Sequence, residues 1–342
     1  MKSIKPFFIA ALIVTIIAIM IPAVLVFPFS KDETEAKLRD QLPASKKTTM
    51  NMSKLEDTSI EVAVLRSASN QVEKLPLEKY IVGVVAAEMP ANFELEALKA
   101  QALAARTYII NQMLYGGNNN LNGADVTDTV KYQVYTDDAE LKKKWGPEYD
   151  KNRQKIIKAV LETEGMILAY DNQPILAQFF STSNGYTENS EDYWKNSYPY
   201  LKSVNSPWDR KSPKFLGSKT ISVAEFEQKL GVKINNSQKI GTIEKRTSGD
   251  RVATVNFGGK RLTGKQIREK LDLRSTDFEW KRKGNSIIIT TKGLGHGVGM
   301  SQYGANGMAQ EGSSYKQIVQ HYYQGINIIS SDTLVDKIVA QK

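Results

Sequence analysis

Apolar positions recur along the chain in three rhythms, and each predicts a different kind of element. The first is an unbroken run: residues 7–29 carry no charge, and their length suits a helix crossing a bilayer. Lys2 and Lys5 precede the run and mixed charges follow from Lys31 to Asp40, so the positive-inside pattern puts residues 1–6 in the cytoplasm and everything after Phe29 outside. The run is longer than a signal-peptide core and ends without a small-x-small cleavage site, which favours an uncleaved anchor. Residues 30–57 lack periodicity and hold Pro43 among lysines and acids, the composition of a stalk.

The second rhythm is helical. Leu77–Glu88 reads as a helix that Pro90 stops, and Glu94–Leu114 reads as a longer one. At about 100° per residue, Leu95, Leu98, Ala102, Ala105 and Ile109 share one stripe, with Leu103 and Ile110 beside it. Glu94, Glu96, Gln101, Thr107 and Asn111 fall on the outer side. Lys99 and Arg106 lie inside the apolar arc, and a buried cation costs several kcal/mol unless an anion accompanies it. The nearest candidate anion along the chain is Glu88. A third helix, Tyr149–Thr163, turns Ile156, Ile157, Val160 and Leu161 inward.

The third rhythm is alternation. Ile60–Arg66 predicts a strand, residues 124–135 a hairpin, and Met166–Tyr170 and Ile175–Phe180 two strands around the turn at Asp171–Pro174. Residues 181–209 form a long loop rich in side chains that bind ligands. From residue 219 to 291 the punctuation changes: helices at Val223–Leu230 and Gly264–Leu271 alternate with strands at Gly241–Lys245, Val252–Phe257 and Ser286–Thr290. The expected fold is α+β, a mixed α/β core with a smaller inserted α+β subdomain at 219–291 and an N-terminal transmembrane helix. The extracytoplasmic domain then spans 58–330 and residues 331–342 form a tail.

Composition narrows the chemistry. The 342 residues include no cysteine and only His296 and His321, which excludes disulfides, thiolate zinc sites and histidine-rich metal centres. The net charge of +9 suits either an anionic partner, which an extracytoplasmic location makes wall polymer or lipid headgroups rather than nucleic acid, or an ordinary solvated lysine-rich surface.

Four stretches carry candidate chemistry. Glu88 ends a helix beside one with inward cations, so it is either half of an ion pair with Arg106 bracing two helices or an acid whose pKa burial has raised. Phe179–Gly185 (F-F-S-T-S-N-G) offers hydroxyls without a nucleophile elbow, and a serine nucleophile there would need His296 as base. Tyr193-Trp194-Lys195, Tyr198–Lys202 and Pro207-Trp208-Asp209 interleave aromatic and polar groups as sugar faces and hydroxyls require, or as a loop pinned by aromatic packing would. Gly293–Ala305 (G-L-G-H-G-V-G-M-S-Q-Y-G-A) has four alternating glycines that clear one side for close approach, and it fits neither phosphate-binding glycine pattern. His296 within it reads as a site residue and His321 as structural.

Together A-A-E-M-P with F-E-L-E-A-L-K-A-Q-A-L-A-A-R-T-Y, F-F-S-T-S-N-G-Y-T-E, P-Y-L-K-S-V-N-S-P-W-D, L-D-L-R-S-T-D-F and the glycine block resemble the stage II sporulation protein D family, which includes amidase enhancers, over about residues 60–328. The resemblance implies a lytic transglycosylase of the cell membrane that cuts peptidoglycan strands lacking stem peptides during forespore engulfment. It implies partnership with stage II sporulation proteins P and M, and a location in the septal and engulfing membrane. It makes Glu88 the catalytic acid/base and places Lys99, Arg106, Ser181, Asn184, Tyr200, Lys202, His296 and Gln302 in the glycan groove. Relatives that hold zinc near these segments use Cys and His where this chain has Phe180, Ser183 and Ser206, so no metal site and no cofactor is transferred.

Such an enzyme needs one carboxylate, which protonates the glycosidic oxygen and then deprotonates the C6 hydroxyl that closes onto C1. An ordinary glycosidase needs two, and Glu188, Glu191 or Asp192 could supply the second. A glycan-binding activator of an amidase, as the enhancer branch suggests, needs none.

Overall fold

The computed structural model describes residues 55–56, 60–117, 121–234 and 240–340. The anticipated anchor at 7–29 and most of the stalk lie outside these residues; among the described residues no helix is long and apolar enough to cross a membrane. The fold is mixed α+β, built from several small sheets wrapped by helices.

The chain opens with β1 (Glu61–Arg66) and β2 (Gln71–Pro76), an antiparallel pair, and runs directly into α1 (Leu77–Glu88). After α1 ends at Met89 and Pro90, α2 (Leu95–Tyr115) crosses the middle of the molecule. Its neighbours include α1, α4 (Tyr149–Leu161) and the C-terminal helices α8 (Gln302–Gln310) and α9 (Tyr315–Tyr322). The expected one-sided stripe is therefore too narrow. Gln101 and Thr107, expected on the outer side, are buried, because helices and a strand cover α2 almost all round. Its alanines let those neighbours approach closely. Thr107 is accommodated by hydrogen bonds: its hydroxyl donates to the Leu103 carbonyl at 2.7 Å and accepts from the Leu168 N–H at 2.9 Å.

Residues 124–135 do not form the expected hairpin. Only β3 (Val126–Thr127) is a strand, and it pairs parallel with β1 through Val64↔Val126. The following residues double back as a loop, with the Tyr135 N–H donating to the Asp128 carbonyl. Next come α3 (Asp138–Trp145), closed by a capping box between Asp137 and Glu140, and then α4. A three-stranded sheet follows in the order β14-β4-β5, from β4 (Met166–Tyr170), β5 (Gln173–Pro174) and β14 (Asn327–Ser330). Of the expected strand Ile175–Phe180 only β6 (Phe179–Phe180) is regular, pairing parallel with β13 (Met300–Ser301). That short parallel ladder brings the two sequence-distant blocks F-F-S-T-S-N-G and G-L-G-H-G-V-G-M-S-Q together. The loop after β6 carries one short helix, α5 (Ser190–Tyr193).

Residues 216–292 form two further sheets, β11-β12-β7 and β10-β9-β8. They comprise β7 (Leu216–Ser222), β8 (Thr242–Arg246), β9 (Val252–Phe257), β10 (Lys260–Thr263), β11 (Asp277–Lys283) and β12 (Ser286–Lys292), with α6 (Val223–Leu230) and α7 (Gly264–Leu271) packed on them. Phe226, Val255, Ile267, Leu271, Phe278 and Ile289 belong to a hydrophobic cluster made within this stretch. Sequence pattern misses β11 because its outward positions Glu279, Lys281 and Lys283 are charged and exposed. The chain closes with α10 (Asp332–Ala340), which buries Leu334 and Ile338.

Candidate active site

Glu88 is the last residue of α1, where Pro90 prevents the helix from continuing and the carboxylate turns into a cleft of about 850 Å³. The walls come from residues 130–134 of the loop after β3, residues 176–181 around β6, the aromatic run at 193–198, residues 294–296 of the glycine block, Tyr108 of α2 and Arg268 of α7. Among the described residues lining it, Glu88 is the only carboxylate.

Two neutral donors hold that carboxylate. The Val134 N–H reaches Oε1 at 3.0 Å, and the Gln302 side-chain amide, at the start of α8, reaches Oε2 at 3.2 Å. No lysine or arginine among the described residues pairs with it. Burial pushes the Glu88 pKa above the ordinary carboxyl value, and the two hydrogen bonds pull it back only in part.

Arg106 belongs elsewhere, which corrects the expected pairing. Its guanidinium is fully buried and grips Glu78, at the start of α1, in a two-pronged contact: Nε to Oε1 at 2.8 Å and Nη2 to Oε2 at 2.6 Å. The remaining edge donates to the Met166 and Val160 carbonyls. Four of its five N–H donors are spent inside the core, and Arg106 does not line the cleft. Lys99 is also elsewhere, bound to Glu96 and Glu162 at 2.6 Å each, beside Tyr315. Neither cation opposes protonation of Glu88.

The other expected groove residues divide. Ser181 and His296 line the cleft and Gln302 supports Glu88. Tyr200 is buried behind Tyr198, accepting from the Leu176 N–H at 3.1 Å, and Tyr198 takes the lining position. Lys202 donates to Glu191 at 2.5 Å and to Ser197 at 3.0 Å, outside the cleft lining. Asn184 is used inside the protein, donating to the Gly249 carbonyl and to Asp277.

His296 contributes shape rather than charge. Its ring lies 5.3 Å from Trp194, 5.7 Å from Tyr193 and 5.7 Å from Phe180, making an aromatic wall. Burial first, then the fields of Arg268, Arg251 and Lys265, lower its pKa to about 3, so it is neutral at physiological pH. Nδ1 accepts from the Val298 N–H at 3.1 Å and the Phe179 carbonyl takes the ring's other hydrogen bond. With both nitrogens engaged, it offers no base to a serine nucleophile. The glycine block owes its path to left-handed backbone: at Gly297, φ is +92° and a Cβ would stand 2.5 Å from the buried Arg251 guanidinium. His321 is placed away from the cleft, bonded to the Asn205 carbonyl at 2.8 Å.

The candidate second carboxylates are also engaged. Glu188 is buried, accepting from Thr247, from the Gly249 N–H at 3.1 Å and from the Asn189 N–H at 3.2 Å. Glu191 pairs with Lys202, and Asp192 accepts from Asn189. Ser183 and Ser206, where zinc-holding relatives carry other ligands, donate to buried Asp209 at 2.7 and 2.6 Å, as does Ser301 at 2.6 Å. Sequence reasoning missed the Lys131–Val134 wall and Arg268, which reach the cleft through long-range packing and carry no local signal of it.

Residues 66–170 match the family model for the stage II sporulation protein SpoIID. The chain is 51% identical over 334 residues to stage II sporulation protein D of Bacillus amyloliquefaciens, covering 96% of each. It is 50% identical over 342 residues to the protein of the same name from Bacillus subtilis (strain 168), covering 99% of this chain and 100% of that one. An amidase enhancer of Bacillus subtilis (strain 168) is 31% identical over 305 residues, 72% of this chain and 40% of the enhancer. Matched along almost its whole length to two sporulation proteins at half identity, the chain belongs to the stage II sporulation protein D family.

Proposed function

We propose that the protein is a membrane-anchored lytic transglycosylase that cleaves peptidoglycan strands stripped of stem peptides during sporulation, with Glu88 as its single acid/base. The observation that carries this reading is one protonatable carboxyl in a cleft where, among the described residues, no second carboxylate lines the wall. Glu88 donates its proton to the glycosidic oxygen and the bond to C1 of the muramyl residue breaks. The resulting carboxylate takes the proton of the C6 hydroxyl on the same residue, and O6 bonds to C1. The products are a 1,6-anhydro end and a free hydroxyl on the departing sugar; no water is consumed.

Gln302 and the Val134 N–H orient the carboxyl through both half-reactions, since neutral donors support the ionised form without forbidding the protonated one. Trp194, Tyr193 and Tyr198 offer ring faces for sugar stacking beside the neutral His296. Residues 7–29 anchor this domain on the outer face of the septal and engulfing membrane, and stage II sporulation proteins P and M are its partners in this reading.

The test is mass spectrometry of amidase-stripped strands after incubation with the protein. Anhydromuramyl ends are expected, and their persistence with Glu88→Gln would rule out the assignment. The relative named amidase enhancer supports a second reading, in which the aromatic cleft binds glycan and stimulates an amidase. That reading predicts product only when amidase is added.

A further inference from the structure

Two cations of α7, Lys265 and Arg268, meet at Tyr193, a ring that lines the cleft together with Arg268. Lys265 and Arg268 are both half-buried, yet neither forms an ion pair among the described residues. The Lys265 ammonium lies 4.6 Å above the Tyr193 ring. Arg268 donates Nη1 to the Tyr193 hydroxyl at 3.0 Å and Nε to the Leu273 carbonyl at 3.2 Å, which fixes the guanidinium and leaves Nη2 without a hydrogen-bond partner among the described residues. Holding two like charges partly out of water around one aromatic ring is unfavourable unless an anion is brought to them. Both also act on His296, so their field reaches the aromatic wall of the cleft.

The glycan offers one kind of anion there. Each muramyl residue of a stripped strand carries a lactyl carboxylate, whereas a stem peptide turns that group into a neutral amide and moves its charges several bonds away. We propose that Lys265 and Arg268, presented by α7 across Tyr193, bind the lactyl carboxylate of a stripped muramyl residue and so determine which strands occupy the cleft. This rests on the glycan reading above and adds the residues that discriminate. The inserted stretch 216–292 thereby contributes specificity to a cleft whose acid/base comes from α1. Arg268 suits the role because its planar fork is already held by Tyr193 and Leu273, and Lys265 adds a mobile second charge.

The test uses the full chain in detergent with Glu88→Gln, so that binding is read without turnover. Fluorescence anisotropy compares labelled stripped strands with the same strands capped as lactyl methylamides. The free carboxylate form is expected to bind about tenfold or more tightly, with a preference that weakens in salt. Lys265→Gln with Arg268→Gln should collapse the ratio towards one, and Arg268→Lys should restore part of it. Lys265→Gln alone, which removes no hydrogen bond seen in the structure, should lower the ratio in a protein whose melting temperature is unchanged. A ratio near one in the parent, or one that survives both substitutions, overturns the inference. Anhydromuramyl ends from the parent with no carboxylate preference would overturn it while leaving the proposed activity intact; a carboxylate preference without such ends would support it and remove the activity.

Discussion

The two carboxylates at opposite ends of α1 meet opposite fates. Glu78, one residue into the helix, is buried against a fully buried arginine and spends both oxygens on it. Glu88, the last residue, is held by an amide N–H and a glutamine instead. What separates a brace from an acid is therefore the charge of the partner rather than burial. The two-pronged cation contact locks Glu78 into the core as a brace, while at Glu88 neutral donors and desolvation leave the proton available.

The comparison can be broken most forcefully at Glu88. Replacing it with glutamine should lower the release of anhydro ends by about a hundred- to ten-thousand-fold, with an unchanged circular dichroism spectrum. At the other end of the helix the expected loss is of stability. Arg106→Ala should cost about 3–5 kcal/mol in urea unfolding because it strands Glu78 in the core, whereas Glu78→Leu combined with Arg106→Met should recover most of that loss. If Arg106 instead held substrate, activity would fall in the double variant while stability returned.

Subtler is the effect of the glutamine. Gln302→Leu removes a donor that favours the ionised form, so the Glu88 pKa should rise further and the pH–rate profile should move to higher pH. An unmoved profile would assign Gln302 to another task. The smallest effect concerns stability against pH. Because burial holds the folded-state pKa of Glu88 above its ordinary value, its protonated form is the one the fold favours; this contribution is complete below about pH 4.5 and is lost as pH rises through the raised value. Glu88→Gln should therefore be slightly more stable than the parent at pH 7, with the difference vanishing at pH 4.

Particular residues show how much of the site could be read in advance. Glu88 was visible because a proline two residues on must end its helix, and Trp194 and His296 because aromatic and glycine-rich blocks are locally unusual. Arg106 was visible as an inward cation, yet its partner lies ten positions before Glu88 on the same helix, and choosing between them needs the packing of α1 on α2. Tyr198 and Tyr200 alternate in the chain, and only the loop's path decides that Tyr198 faces the cleft. Lys131, Val134 and Arg268 sit in stretches whose local pattern reads as hairpin or amphipathic helix, with no local sign of a shared cavity.

Local pattern alone dictates the elements whose rhythm is local: α1 and its stop, α2, α4, β4, β9, α6 and α7 all follow from periodicity, capping and proline. The sequence also determined which residue types were available for chemistry, since a chain with two histidines and no cysteine must work with carboxylates, amides and rings. Tertiary structure alone decided the electrostatics. A pKa and an ion pair depend on distances across elements far apart in the chain, and the difference between Glu78 and Glu88 exists only once α2 and α8 have been laid against α1.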